Sequence, residues 1–203
     1  MDRKKGTTTV ALVCKNGVVF AADKQASAGS AVASRTTRKI FQIDNNMAVT
    51  VAGSLGDVQN LVSLLKAEIA LRKMEEKHLT ARGIASLASR ILHGNRIFPY
   101  IAWLILGGYD EAPHAFSIDP FGGVNEDVYI ASGSGMQIVH GILEDQFTEG
   151  LDLEEGIDLV VRAIRASQER DIATGGGIAV SVVTPAGYRE FSEKEIQKRL
   201  SRL

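Results

Sequence analysis

The runs Thr9 to Cys14 (TVALVC) and Val18 to Ala22 (VVFAA) constrain this chain most, because both are apolar on the two faces a β-strand presents. Lys15-Asn16-Gly17 separates them, and Asn-Gly is a strong signal for a tight hairpin. A hairpin that is apolar on both faces needs cover on both sides. A third strand is predicted at Lys39 to Ile43 and a fourth at Met47 to Ala52, joined by an Asp44-Asn45-Asn46 turn, so that four antiparallel strands precede any helix.

Gly53-Ser54-Leu55-Gly56 breaks that pattern, and helical spacing follows from Asp57 to Met74 through Val58, Leu61, Val62, Leu64, Leu65, Ile69 and Leu71. A second helix is predicted after Thr80, a suitable N-cap. Strands return at Ile101 to Gly107, His114 to Ile118 and Asp127 to Ala131. Two helices follow, near Met136 to Phe147 and Leu153 to Arg170. A hairpin of Ile178 to Thr184 with Tyr188 to Phe191 then leads to a short helix capped by Ser192. Strands, helix pair, strands, helix pair, strands is an order that does not alternate as βαβ units. It predicts an α+β fold: a four-layer αββα sandwich of two antiparallel sheets packed face to face, each covered outside by a helix pair.

With 203 residues the chain is expected to form one domain around a sizeable core. Lys plus Arg number 23 against 24 Asp plus Glu, which argues against a nucleic-acid or anionic-membrane footprint. The single cysteine, Cys14, has no internal disulfide partner and reads as a buried small hydrophobe in a reducing compartment. No apolar run approaches membrane-spanning length, and MDRKKG has no apolar segment behind its charges, so a cytoplasmic protein without a secretory signal is expected. No metal-ligand spacing is present and no cofactor is expected. Ser132-Gly133-Ser134-Gly135 precedes a helix as a phosphate cradle does, but neither a P-loop lysine nor a complete G-x-G-x-x-G accompanies it.

Threonines 7 to 9 admit two readings. Thr is β-branched and can simply begin a strand. Alternatively, the Gly6–Thr7 bond is cut, and the new N-terminus carries a hydroxyl nucleophile and an amine base on one residue. An α-amine, with a pKa of about 7.7 to 8.0, is partly neutral at pH 7, whereas lysine, at about 10.4, is not. While Gly6 is attached, that nitrogen is an amide without useful basicity.

The pieces G-TTTV, AADKQASAG, TTRKIFQI, VAGSLGD, ASGSG and ERDIATGGG occur in order and at family spacing. Together they resemble a proteasome β-subunit of the archaeal type, one of the N-terminal-nucleophile hydrolases, over essentially all of Thr7 to the C-terminus. The resemblance implies a threonine-type endopeptidase whose residues 1–6 are removed by autolysis at Gly6–Thr7. Thr7 matches the nucleophile, Asp23 the acid paired with Lys39, Lys39 the cation beside the threonine oxygen, and Gly53 the oxyanion-hole residue. Ser134, Asp171 and Thr174 match the group around the terminal amine, with Thr174 standing where the family usually has serine. Ala26, Thr37, Phe41, Val51 and Leu55 match the substrate-binding pocket, an uncharged set that suits cleavage after large hydrophobic residues. The implied partners are other β-subunits in a heptameric ring, proteasome α-subunits, a regulatory ATPase acting through the α-ring, and unfolded polypeptide substrates. The terminal stretch with Ile196, Leu200 and Leu203 is expected to offer an apolar face to neighbours as well as to the core. A non-catalytic subunit that only builds the ring is the competing reading. It has no need to keep Thr7, Asp23, Lys39 and Gly53 together.

Overall fold

The computed structural model describes residues 6–29, 31–75 and 79–203. Its first five-stranded sheet is built from β1 (Thr8–Cys14), β2 (Gly17–Asp23), β10 (Tyr129–Gly133), β11 (Ile178–Thr184) and β12 (Gly187–Glu190), in the order β10-β1-β2-β11-β12. The second contains β5 (Ile40–Asp44), β6 (Met47–Gly53), β7 (Ala102–Tyr109), β8 (Pro113–Ile118) and β9 (Val124–Glu126), in sequence order. All pairings within both sheets are antiparallel. Helices α1 (Leu55–Met74) and α2 (Ala81–Gly94) cover the second sheet, and α3 (Met136–Gln146), α4 (Leu153–Arg170) and α5 (Glu193–Leu200) cover the first. The expected αββα sandwich is therefore observed.

Alternation along each strand divides the core into three layers. On β1, Val10, Leu12 and Cys14 pack with Val139, Val160 and Ile164 of the α3–α4 layer, while Ala11 faces the other sheet. On β2, Val18 and Phe20 turn inward and Val19 and Ala21 turn toward the helices. The middle layer sets four alanines, Ala11, Ala22, Ala48 and Ala115, among larger residues such as Ile40, Ile105 and Ile130, which leaves room between the sheets for Phe20. Gly107 takes part in this fit, because a Cβ there would stand 2.5 Å from Phe20 Cζ. Phe20 is fully buried, and truncating a core phenylalanine to alanine costs about 3–5 kcal/mol. Cys14 lies against Gly156, and burial, reinforced by the charge of Asp152, pushes its thiol up to about 12, which makes it an inert packing residue.

Several local expectations need correction. Among the described residues six strands precede the first helix, because β3 (Ala26–Ala28) and β4 (Ala31–Ser34) form a two-stranded ribbon outside the main sheets. This stretch is small and polar and lacks the apolar alternation that marks a half-buried strand. The strand expected over Asp127 to Ala131 is shifted to β10, Tyr129–Gly133, an unexpected short strand β9 precedes it at Val124–Glu126, and Lys39 lies just before β5 rather than inside it. In the terminal stretch Ile196 is buried, Leu200 is partly buried against the α3–α4 layer and Leu203 is exposed. Thr80 and Ser192 do cap α2 and α5, accepting from Gly83 N at 3.0 Å and Glu195 N at 3.4 Å. Among the described residues no helix is long and apolar enough to cross a membrane.

Candidate active site

β1 lies between β10 and β2, and its first residue, Thr8, is opposite Gly133. Thr7 is thus held at the end of the sheet, where β2 ends in Asp23 and β10 ends in Gly133. Alternation directs Thr8 with Val10 to the helix side and places Thr7 with Thr9 and Ala11 on the side facing the second sheet. The Thr7 carbonyl accepts the Ser134 N–H at 2.7 Å. Only glycine fits beside it at 133, since φ there is +95° and a Cβ would lie 1.9 Å from the Thr7 oxygen. Gly6 is buried against Ala173, and a Cβ on it would stand 1.8 Å from Ala173 Cβ. Residues 1–5 of the expected leader lie outside the described residues.

Asp23 and Lys39 join the two sheets at this end. Lys39 Nζ donates to Asp23 Oδ1 at 2.5 Å, with Lys39 5 % exposed and Asp23 fully buried. The same oxygen accepts the Thr8 N–H at 2.9 Å, so the ammonium is one shared acceptor away from the Thr7–Thr8 peptide. Asp23 Oδ2 accepts from Gln25 N at 3.1 Å and Gly175 N at 3.0 Å. The Lys39 backbone is fixed in turn: its carbonyl accepts from Val51 N at 3.1 Å and Thr50 Oγ1 at 2.9 Å on β6. Burial pulls the Lys39 ammonium below the ordinary lysine range, and the charges of Asp23 and Asp171 only partly offset this.

The second group surrounds the Thr7 nitrogen, which donates to Ser134 Oγ at 3.3 Å. Ser134 Oγ and Thr174 Oγ1 each donate to Asp171 Oδ2 at 2.5 Å, and Ala173 N donates to Oδ1 at 3.2 Å. Six of the residues expected from the sequence, Thr7, Asp23, Lys39, Ser134, Asp171 and Thr174, therefore lie in one region of directly or indirectly bonded groups.

Gly53 ends β6, two residues after Val51, whose N–H holds Lys39. Its φ is +150°, and a Cβ would lie 2.0 Å from the Ile101 carbonyl, which already accepts Ser54 N at 2.7 Å. The position therefore requires glycine. The five residues expected to line a substrate pocket differ in exposure. Ala26 in β3 and Thr37 are half-buried, and Thr37 N donates to Lys24 O at 2.9 Å. Val51 is buried among the residues beneath α1 and α2, Phe41 packs against that cluster, and Leu55, 53 % exposed, opens α1.

Sequence reasoning missed Thr8 and Gln25. Thr8 Oγ1 accepts Gly135 N at 3.1 Å and lies 2.6 Å from Thr174 Oγ1. Gln25 Nε2 donates to Ile172 O and to Ser27 Oγ, both at 3.1 Å, strapping the turn that carries Asp171 and Thr174. The available signal for Thr8 was its parity: a hydroxyl on the helix-facing side of a buried strand needs a partner there.

Residues 3–183 match the family model for proteasome subunits. The chain is 48% identical to proteasome subunit beta 1 of Thermococcus kodakarensis over 200 residues, 98% of each chain. It is 45% identical to proteasome subunit beta of Methanothermobacter thermautotrophicus over 202 residues, covering 98% of this chain and 96% of that one. Identity to proteasome subunit beta 2 of Pyrococcus furiosus is 44% over 200 residues, 98% of this chain and 97% of the relative. With the fold and these relatives together, the chain belongs to the proteasome family as a β-subunit of the archaeal type.

Proposed function

We propose that this chain is a catalytic proteasome β-subunit, a threonine endopeptidase that frees its own nucleophile. The supporting observation is the buried Lys39–Asp23 pair hydrogen-bonded to the Thr7–Thr8 peptide. Burying such a pair is a poor source of stability, because desolvation consumes most of the attraction. A subunit that only builds the ring gains little from it, whereas a nucleophile gains a neighbouring cation.

In self-processing, Thr7 Oγ attacks the Gly6 carbonyl carbon, the Gly6–Thr7 C–N bond breaks, and the nitrogen takes up the hydroxyl proton. The resulting ester is hydrolysed by water to a Gly6 carboxylate and the free Thr7 hydroxyl and amine. In turnover the amine accepts the Thr7 hydroxyl proton as Oγ attacks a substrate carbonyl. The Lys39 ammonium stabilises the developing charge on Oγ, and backbone at Gly53 meets the oxyanion. The acyl-enzyme is then opened by water. Ala26, Thr37, Phe41, Val51 and Leu55 carry no charge, so large apolar side chains are favoured before the cut bond, gaining about 1.5–3 kcal/mol on burial.

A proteasome β-subunit assembles with other proteasome subunits. Here the proposed assembly is a pair of heptameric β-rings stacked back to back between two α-rings, fed by a regulatory ATPase in the cytoplasm and enclosing Thr7 so that only unfolded chains reach it. Exposed apolar residues are available for such contacts, including Met74, Ile97, Phe98 (89 % exposed) and Phe121. Co-assembly with proteasome α-subunits, followed by hydrolysis of a peptide library, tests this. Cleavage after large hydrophobic residues that vanishes in Thr7→Ala is expected. Complete rings without turnover, or turnover that survives Thr7→Ala, would establish the ring-building reading or a different nucleophile.

A further inference from the structure

Thr8 is fully buried on the face of β1 that otherwise carries Val10 and Leu12. Its environment determines where each hydroxyl proton goes. Thr174 has one hydroxyl proton, and the Asp171 carboxylate 2.5 Å away can only accept it. Toward Thr8, 2.6 Å away, Thr174 must therefore accept, and Thr8 must donate. The Thr8 oxygen has a free acceptor site for this arrangement, filled by Gly135 N–H at 3.1 Å.

The same count applies on the other side. Ser134 has one proton and two acceptors, Asp171 Oδ2 at 2.5 Å and the Thr7 carbonyl at 3.3 Å. The short, charge-assisted bond wins, which leaves the Ser134 oxygen to accept from Thr7 N at 3.3 Å. Two one-way chains thus converge on Asp171 Oδ2. One runs from Thr7 N through Ser134; the other runs from Gly135 N through Thr8 and Thr174.

We infer that the Thr8 hydroxyl is a positioning residue for the Thr7 reaction: by donating to Thr174 it fixes the Asp171 oxygen that orients Ser134 toward the Thr7 nitrogen. Without that donor, the Thr174 hydroxyl loses its anchor and Asp171 Oδ2 is held from one side only. Ser134 can then turn its proton to the Thr7 carbonyl, and its oxygen no longer faces the nitrogen that must act as base. The Thr8 backbone N–H on Asp23 is untouched by a side-chain change, so the Lys39–Asp23 contact is separable from this effect. The inference rests on Thr7 being the nucleophile.

The test uses the assembled particle, with kcat and KM for a hydrophobic peptide expressed per chain beginning at Thr7, and thermal stability measured alongside. Thr8→Val keeps the shape and removes the donor. It is expected to leave KM within about twofold and to lower kcat roughly tenfold, the worth of one buried hydrogen bond. Thr8→Ser restores the donor and should recover most of kcat. Thr174→Val should cost a similar factor, and the Thr8→Val, Thr174→Val pair no more than the worse single change, because both act on one chain. If Thr8→Val does not assemble, Thr8→Cys, a weaker donor of similar size, carries the test with an expected kcat several-fold below those of wild type and Thr8→Ser. An unchanged kcat in Thr8→Val or Thr8→Cys with reduced thermal stability, or losses that multiply in the double variant, overturns the inference. A wild-type particle without hydrolysis, or an active Thr7→Ala particle, overturns instead the nucleophile assignment on which it rests.

Discussion

Asp23→Asn removes one charge from a pair in which Asp23 is fully buried and Lys39 is 5 % exposed. Breaking a buried pair by deleting one partner costs about 3–5 kcal/mol, because the surviving charge is left uncompensated. Neutralising Lys39 caps that term: moving an ordinary lysine of pKa about 10.4 to its neutral form at pH 7 costs about 4.6 kcal/mol, at about 1.36 per unit. A second loss comes from the amide. The two Asp23 oxygens receive Lys39 Nζ and Thr8 N on one side and Gln25 N and Gly175 N on the other. Whichever way the substituted amide is turned, its NH2 group confronts two donors, at about 1–3 kcal/mol for each donor left without an acceptor. The total, about 5–11 kcal/mol, is comparable with the whole stability of many domains. Lys39→Met is different, because Asp23 keeps its three backbone N–H donors and the desolvation of the ammonium is relieved; about 2 kcal/mol is expected. Urea unfolding of both variants in a Thr7→Ala background compares them without autolysis. With slopes of about 1–3 kcal/mol per molar, the Asp23→Asn midpoint should fall at least about 1 M below that of Lys39→Met. Equal midpoints, or a lower one for Lys39→Met, would refute the claim that the backbone donors sustain Asp23 while Lys39 depends on Asp23.

The lowered proton affinity of Lys39 has a pH signature. Between its depressed folded value and the ordinary 10.5, the unfolded chain binds more protons, so the penalty for burying the ammonium is complete below that window and fades as pH rises through it. Wild type should gain stability relative to Lys39→Met as pH is raised toward 10.5, and a constant or shrinking difference in urea midpoints would contradict this. Gly53→Ala forces a side chain onto a φ of +150° and to within 2.0 Å of the Ile101 carbonyl; peptide turnover should fall by about tenfold or more, and normal turnover would remove Gly53 from the site. Gly6→Val cannot seat against Ala173, where even a Cβ would be 1.8 Å from Ala173 Cβ, so mass spectrometry should find the leader retained; wild-type processing would show that this seat is not used.

The layering was legible because the strands announce themselves. Val18 and Phe20 alternate with Val19 and Ala21, both sets apolar, and Asn-Gly and Asp-Asn-Asn turns separate the runs. The β3–β4 ribbon was not legible: Ala31 and Val32 are exposed, and no core selects an alternating pattern there. At the site, Thr7, Asp23, Lys39, Ser134, Asp171 and Thr174 could be named together only through the family resemblance. The bonds joining them run from Asp23 to Lys39 across 16 positions and from Thr7 to Ser134 across 127, and local spacing carries no such information. Thr8 escaped because its partners, Gly135 and Thr174, are 127 and 166 positions away. It is also the middle member of a threonine run that strand propensity alone explains.

The intact mass of this chain, taken from particles assembled with proteasome α-subunits, tests the central claim most directly. Autolysis at Gly6–Thr7 predicts a chain that begins at Thr7 in the wild-type particle and retains Gly6 in Thr7→Ala. A wild-type chain that keeps residues 1–6 in complete particles, or one that begins at Thr8, would contradict it.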